Sequence, residues 1–219
     1  MDYEGLEVGF VMPGMAPYAT ALVLARYLEQ APLDKAFFVE EVRRNREIRR
    51  GFNPYTKFCA ACRADFRFGS SGRHLEQAVT TVATRYQHLY QQLEFGYRSY
   101  LRSLDDLSFC SEQKIRDAVI ERSGLTLKIN PHMGVRRGNG RVEATYMWFD
   151  AHPPNPEVIA TLLRLMSQHM ENIYPAGLPV VLDVRRGRAY RTSSISPVRV
   201  DRYIDGQLAA FVANWTAAA

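Results

Sequence analysis

The chain is expected to fold as an α+β protein, and three observations point there. Leu125–Asn130 (LTLKIN) and Arg141–Phe149 (RVEATYMWF) alternate apolar and polar residues, and Leu178–Val184 (LPVVLDV) is a short apolar run; all three read as strands. From Arg73 to about Leu104, residues Leu75, Val79, Val82, Tyr86, Leu89, Leu93, Tyr97, Tyr100 and Leu104 recur every three or four positions, which is one stripe of a long helix. Helical and strand signals also alternate through the second half. With 219 residues, 47% of them hydrophobic, the chain can bury a core in one large domain or two small ones.

The first elements follow from their punctuation. Leu6 to Met12 alternates as a strand, and Pro13-Gly14 breaks it. Pro17 opens a helix over Tyr18–Gln30, with Leu22, Val23, Ala25, Tyr27 and Leu28 at helical spacing, and Pro32 ends it. Lys35–Val42 (KAFFVEEV) reads either as a strand or as the start of a helix. The following stretch to Gly72 lacks clear periodicity and is rich in Arg, rings, Gly and Ser, so it reads as loop. The long helix follows, with Gly96 as a weak point and Asp105-Asp106 as its end.

In the second half, Ser111 resembles an N-cap for a helix carrying Ile115, Val119 and Ile120, closed by Gly124. LTLKIN and RVEATYMWF then read as a hairpin with a basic tip at Gly134–Gly140. Glu157 to about Met170 is helical, LPVVLDV is a buried strand that Arg185–Tyr190 prolongs, and Ser196-Pro197 opens a last helix with Val200, Ile204, Leu208, Phe211 and Trp215 on one face. A short strand near Leu107–Cys110 would make the order β-α-β-β-α-β, a ferredoxin-like C-terminal half. The expected division is 1–105, holding the β-α segment, basic loop and long helix, and 106–219, the ferredoxin-like unit with its C-terminal helix.

Net charge is +5 with a pI near 9.2, and only Lys35, Lys57, Lys114 and Lys128 are lysines among 28 basic residues. Arginine grips phosphate with a planar fork and stacks on bases, although a GC-rich genome also favours it. The basic balance suits a partner rich in phosphate. Met1-Asp2-Tyr3-Glu4 is acidic where a secretory leader needs basic residues, and no apolar run approaches the ~18 residues of a membrane span. Three cysteines do not suggest a disulfide scaffold. A cytoplasmic protein without membrane contact is therefore expected.

Arginines and rings interleave in three places. Arg43, Arg44, Arg46, Arg49 and Arg50 are followed by Phe52, Tyr55, Lys57, Phe58, Arg63, Phe66, Arg67 and Phe68; Arg136, Arg137 and Arg141 occupy the hairpin tip; Arg185, Arg186, Arg188 and Arg191 follow LPVVLDV. Cations that track phosphates beside rings that stack on bases hold single strands. The alternative is a solvated face paired with Glu40, Glu41 and Asp65.

Cys59-Ala-Ala-Cys62 has zinc-knuckle spacing, and His74 follows Cys62 by twelve residues. A zinc site would need Cys59, Cys62, His74 and one distant ligand. His88 cannot be that ligand, since a single helix would hold it about 21 Å from His74. Two small buried thiols packed with Phe58 and Phe66 are the favoured reading. A redox pair would sit at a helix start after a core strand, and Asn53–Thr56 does not read as one.

The expected function is a non-catalytic RNA- or DNA-binding subunit of a larger assembly, with RNA and other protein subunits as partners. By fold analogy alone, a CRISPR-type subunit fits. One alternative is a metal-dependent nuclease using Glu143, Asp150 or Asp183, although the expected lysine is replaced in Asp183-Val-Arg185. His132 and His152 are candidate general bases for RNA cleavage. The other alternative is an assembly module built on the long helix.

Overall fold

The computed structural model describes residues 16–47, 53–104 and 107–218. The strand expected over Leu6–Met12, Arg49, Arg50, Phe52 and Asp105-Asp106 lie outside the described residues.

Strand β6 (Val142–Trp148) organises the fold because both of its faces are covered. Ala144, Tyr146 and Trp148 point into one apolar cluster, while Met147 and the adjoining Phe149 point into another. Alternation in RVEATYMWF is thus not apolar-in and polar-out. It divides the strand between two cores, as in mixed sheets covered on both sides. β6 lies in a five-stranded sheet with β2 (Ser111–Gln113), β5 (Met133–Arg136), β7 (Leu178–Asp183) and β8 (Arg188–Tyr190), in the order β2-β5-β6-β7-β8. β6 and β7 are parallel, joined through α6 (Pro156–Gln168) and the short α7 (Met170–Ile173). The other pairings are antiparallel.

One face of this sheet packs on α6, α1 (Ala21–Glu29), α8 (Pro197–Ala217) and a three-stranded sheet of β1 (Tyr18–Thr20), β4 (Leu125–Ile129) and β3 (Ala118–Arg122). The opposite face packs on α3 (Thr56–Phe68), α4 (Arg73–Thr81) and α5 (Thr84–Arg102). α2 (Lys35–Glu47) packs against α8 and buries only Val39. No helix among the described residues is long and apolar enough to cross a membrane.

Several expectations hold. α6 begins with Asn155 capping Val158 N and Pro156 in the first turn. α8 buries Val200, Ile204, Leu208, Phe211 and Trp215, the five residues of its predicted face. α1 is shorter than expected, since Tyr18–Thr20 forms β1 and Thr20 caps the helix through its hydroxyl.

Other expectations are corrected. The long helix is two. Thr80 and Thr81 turn their hydroxyls back to Gln77 O, Val82 adopts an extended backbone, and α5 starts afresh at Thr84. The stretch read as loop is helical at both ends. Lys35–Glu47 is α2, and Phe58, Cys62 and Phe66, spaced by four, form the buried stripe of α3. Gly69, at φ +61°, closes α3 in the left-handed region.

Ser111 does not cap a helix. Its segment holds β2 and β3, and pairing with β5 and β4 overrides a spacing that helix and strand share. The hairpin partner of β6 is β5, whereas LTLKIN pairs with β1 and β3 in the other sheet. The fold is mixed α+β, but its elements do not trace the β-α-β-β-α-β order expected for the C-terminal half.

Asp65 ties α3 to α4. Its buried carboxylate accepts from His74 N at 2.9 Å, Leu75 N at 3.2 Å and the Ser70 hydroxyl. It thereby satisfies donors that the first turn of α4 leaves open. Asp65→Ala is expected to cost about 2 kcal/mol, a Tm fall of about 4–8 °C. Asp65→Asn, which keeps an acceptor, should lose less. Thermal melts of the two variants check this, and equal melting of Asp65→Ala and the parent would remove the capping role.

Candidate nucleic-acid interface

The parallel strands β6 and β7 end side by side. Val184 N donates to Trp148 O at 3.0 Å and locks the two ends together. The chain then turns through Val184–Gly187 into β8. In open sheets, ligands commonly bind outside the carboxyl ends of parallel strands. Here those ends present Asp150, Asp183, Arg185 and Arg186, with α5 alongside.

Gly96 makes that arrangement possible. A Cβ there would sit 2.0 Å from Val184 O and 2.4 Å from Arg185 O. Gly187 is its counterpart, with φ +63° and a would-be Cβ 2.3 Å from Gly96 O. Backbone meets backbone, so α5 lies directly on the turn that carries the arginines.

Arg185 and Arg186 are neighbours in sequence but differ electrostatically. Arg186 is paired with Asp183, which is fully buried, at 2.9 and 3.2 Å, and also donates to Ala151 O. Arg185 has neutral partners: Nε donates to Phe149 O at 2.7 Å, and Nη1 donates to Gln92 Oε1. Its charge is uncancelled by these contacts, and a guanidinium carries more N–H donors than they use. Because Arg185 fixes Gln92 Oε1, the Gln92 amide nitrogen faces His88. His88 Nε2 lies 2.8 Å from that nitrogen. His88, Gln91, Gln92, Phe95, Arg185 and Arg186 line an open groove of about 450 Å³. Phe95 is 74% exposed there.

Behind the groove, Arg26 pairs with Asp150 at 3.1 Å, and Tyr55 stacks on the buried Phe149 with centroids 4.2 Å apart. Burial pushes the Tyr55 phenol above its ordinary value, and the charge of Arg26 opposes that shift.

The structure distributes the other predicted cations widely. On α2, Arg43 bonds Glu47 and Trp215 O, Arg44 bonds Glu40, and Arg46 lies 4.2 Å over the Tyr18 ring. On α3, Arg63 donates to His132 O and Arg67 to Glu112, while Lys57 is exposed. Arg136 reaches Gly140 O, Gln113 and Tyr174. Arg137 meets Glu143 at 3.4 Å, as does Arg191 at 2.7 Å. Arg141 is exposed at the hairpin turn, and Arg188 lies 4.9 Å over Tyr190. Phe58 and Phe66 are buried and Tyr55 is stacked on Phe149, so these rings of the predicted basic segment turn inward.

The cysteine pair lies in the core. Cys59 Sγ is 4.0 Å from Met147 Sδ, and Cys62 is fully buried where the Tyr97 hydroxyl meets its carbonyl. Burial pushes the Cys59 thiol up to about 12, and Cys62 well above its ordinary value. His74 turns instead to Asp65 and Ser70. Among the described residues, no three His, Cys, Asp or Glu side chains group where they could hold a metal ion. Asp65, Ser70 and His74 are not arranged as a nucleophilic triad, because Ser70 and Asp65 share His74 Nδ1, whereas a triad uses both ring nitrogens.

Of the carboxylates weighed for metal-assisted cleavage, Asp150 pairs with Arg26, and Glu143 and Asp183 lie apart. Glu143 sits opposite Leu178 and Asp183 opposite Trp148, at the two ends of the β6–β7 pair. Five residues of strand separate them, about 16 Å. His132 is half-buried, and its Nδ1 accepts from Met147 N at 2.9 Å.

Sequence reasoning missed Arg26, His88, Gln92 and Phe95. A signal for Phe95 was available, since it is a large ring outside the apolar stripe of its own helix. The Arg185–Gln92 contact spans 93 positions and had no local trace. No protein-family model matches the chain, and no curated protein matches it.

Proposed function

We propose that this chain is a non-catalytic nucleic-acid-binding subunit that takes phosphate at the groove beside the carboxyl ends of β6 and β7. The observation that carries this reading is Arg185: a guanidinium held by neutral acceptors, its charge uncancelled by them, on the wall of a groove with an exposed ring. A cation fixed in advance loses little side-chain entropy when it meets a phosphate. Phe95 offers a base a surface to stack on. Glu143, Asp150 and Asp183 each face an arginine, and this pairing supports binding over metal-assisted hydrolysis.

Arg185→Gln is the informative variant. It removes a charge whose partners are neutral, whereas Arg186→Ala would strand the buried Asp183. In fluorescence anisotropy with a labelled single-stranded oligouridylate, the parent should bind with strong salt dependence. Arg185→Gln should weaken binding and make the slope of log K against log salt shallower by about 0.7. Salt-independent binding by the parent, or an unchanged slope in the variant, would overturn the reading.

A further inference from the structure

α5 has a solvent face that carries an exposed ring, Phe95. Arg85, His88, Gln92 and Phe95 are all exposed, and their spacings of three, four and three place them on one side. The groove of Arg185 and Arg186 lies at the Phe95 end of this face. Arg85, at the other end, also lines a second groove of about 440 Å³, which continues around the helix to Tyr86 and Tyr90 and is bordered by Asn53 and Lys57. Arg85 lies 4.8 Å over the Tyr86 ring there. Arg185 and Phe95 thus share the first groove with Gln92 and His88, and Arg85 over Tyr86 leads into the second, which Lys57 of α3 borders. Cations and rings occur at both ends, with amide and imidazole groups between them.

From Arg85 to Phe95 is ten residues of helix, about 15 Å. A base-stacked strand advances about 3.4 Å per nucleotide, so this length matches about four nucleotides. Both grooves also border α3 or the β7–β8 turn, which hold α5 from either side.

We propose that a single strand of nucleic acid lies along the exposed face of α5 and spans both grooves, with its phosphates on Arg185 and Lys57 and a base on Phe95. This rests on the reading of the Arg185 groove given above and extends it to a track with a polarity of features and a strandedness. The strandedness follows from Phe95. Only an unpaired base can present its face to a protruding ring, whereas a duplex keeps its bases stacked inside and offers phosphate alone. The polar groups between the cations, Gln92 and His88, suit base edges or sugar hydroxyls rather than a further phosphate.

The test uses the full chain with Phe95→Ala, Lys57→Ala and Arg185→Gln. Phe95 and Lys57 are exposed, so their variants should fold as the parent does, which circular dichroism checks. The probes are a labelled oligouridylate of about twelve nucleotides, within the span of single-strand sites, and an RNA duplex of the same length. Phe95→Ala should weaken single-strand binding about tenfold and leave duplex binding unchanged. Lys57→Ala should weaken single-strand binding about threefold, the effect of one lost phosphate contact. Parent affinity in both variants overturns the track. If Arg185→Gln still weakens binding in that case, the groove reading stands without it; if Arg185→Gln also binds as the parent does, both fall. Equal loss on single strand and duplex in Phe95→Ala overturns the single-strand assignment.

Discussion

Gly96→Ala is expected to destabilise the protein by at least about 3 kcal/mol, with a Tm fall of about 6–12 °C. The sign is not obvious from the helix alone. Alanine is favoured over glycine inside a helix by roughly 1 kcal/mol. At Gly96 that gain is overwhelmed, because the added Cβ would lie 2.0 Å from Val184 O and 2.4 Å from Arg185 O. Those are backbone atoms of a turn held by Val184 N to Trp148 O, and they cannot swing aside as a side-chain tip would. Either α5 lifts from the sheet, exposing Leu93, Tyr97 and Tyr100, or the β7–β8 turn deforms and Arg185 loses Gln92. Gly206 provides the internal control. It lies in α8, and a Cβ there would meet nothing within 4 Å. Gly206→Ala should stabilise by about 0.5–1 kcal/mol. Denaturant midpoints of the two variants check the pair, and a Gly96→Ala protein as stable as its parent would contradict the close approach of α5 to the turn.

The second large effect is acid sensitivity centred on His132. Burial lowers its pKa from the ordinary 6.5 to about 4, and the nearby charge of Arg63 acts in the same direction. The ring is also committed as a base, because Nδ1 accepts from Met147 N. The folded-state pKa is depressed, so the contribution is present in full above pH 6.5 and is lost as the pH falls toward 4. In that window the unfolded chain takes up a proton that the folded chain refuses. The loss amounts to about 3 kcal/mol across the window, at 1.36 kcal/mol per pH unit. Below about pH 4 this residue adds nothing further. His132→Gln, which keeps an acceptor but cannot titrate, should be less stable at pH 7 and show a flatter pH dependence between 6.5 and 4. Burial also lowers the pKa of His169, with the same sign, and it remains in both proteins. Parallel pH profiles for parent and variant would show that His132 does not refuse the proton.

Much of the fold was legible because local period and burial agreed. α6 and α8 have capping residues or proline at their starts and a continuous apolar face, and both form as read. β4, β6 and β7 lie where short apolar or alternating runs placed them. Errors arose where one spacing served two structures. Ile115, Val119 and Ile120 suit a helix face, yet Val119 is 61% exposed on β3, a strand made by its pairing with β4. Thr80 to Thr84 sits inside an unbroken apolar stripe, and β-branched side chains bonding back to Gln77 end the helix there. In α3, arginines between the apolar positions hid a stripe spaced by four.

The site divides in the same way. Composition alone established an arginine-rich, basic chain, and the sequence marked Arg185 and Arg186 as candidates. Which of the two has a carboxylate partner was decided by the tertiary structure. Asp183 is three residues before Arg186 and neutralises it, while Arg185 is held by Phe149 and Gln92, 36 and 93 positions away. The same holds for Arg43, Arg46, Arg63 and Arg67, which found carboxylates, carbonyls or a ring across the fold, whereas Arg44 met Glu40 one turn away in its own helix. Periodicity records the face a residue prefers, because burial of apolar area acts on each side chain separately. The free charge of an arginine depends on where its partners lie, and those distances exist only after the chain has folded.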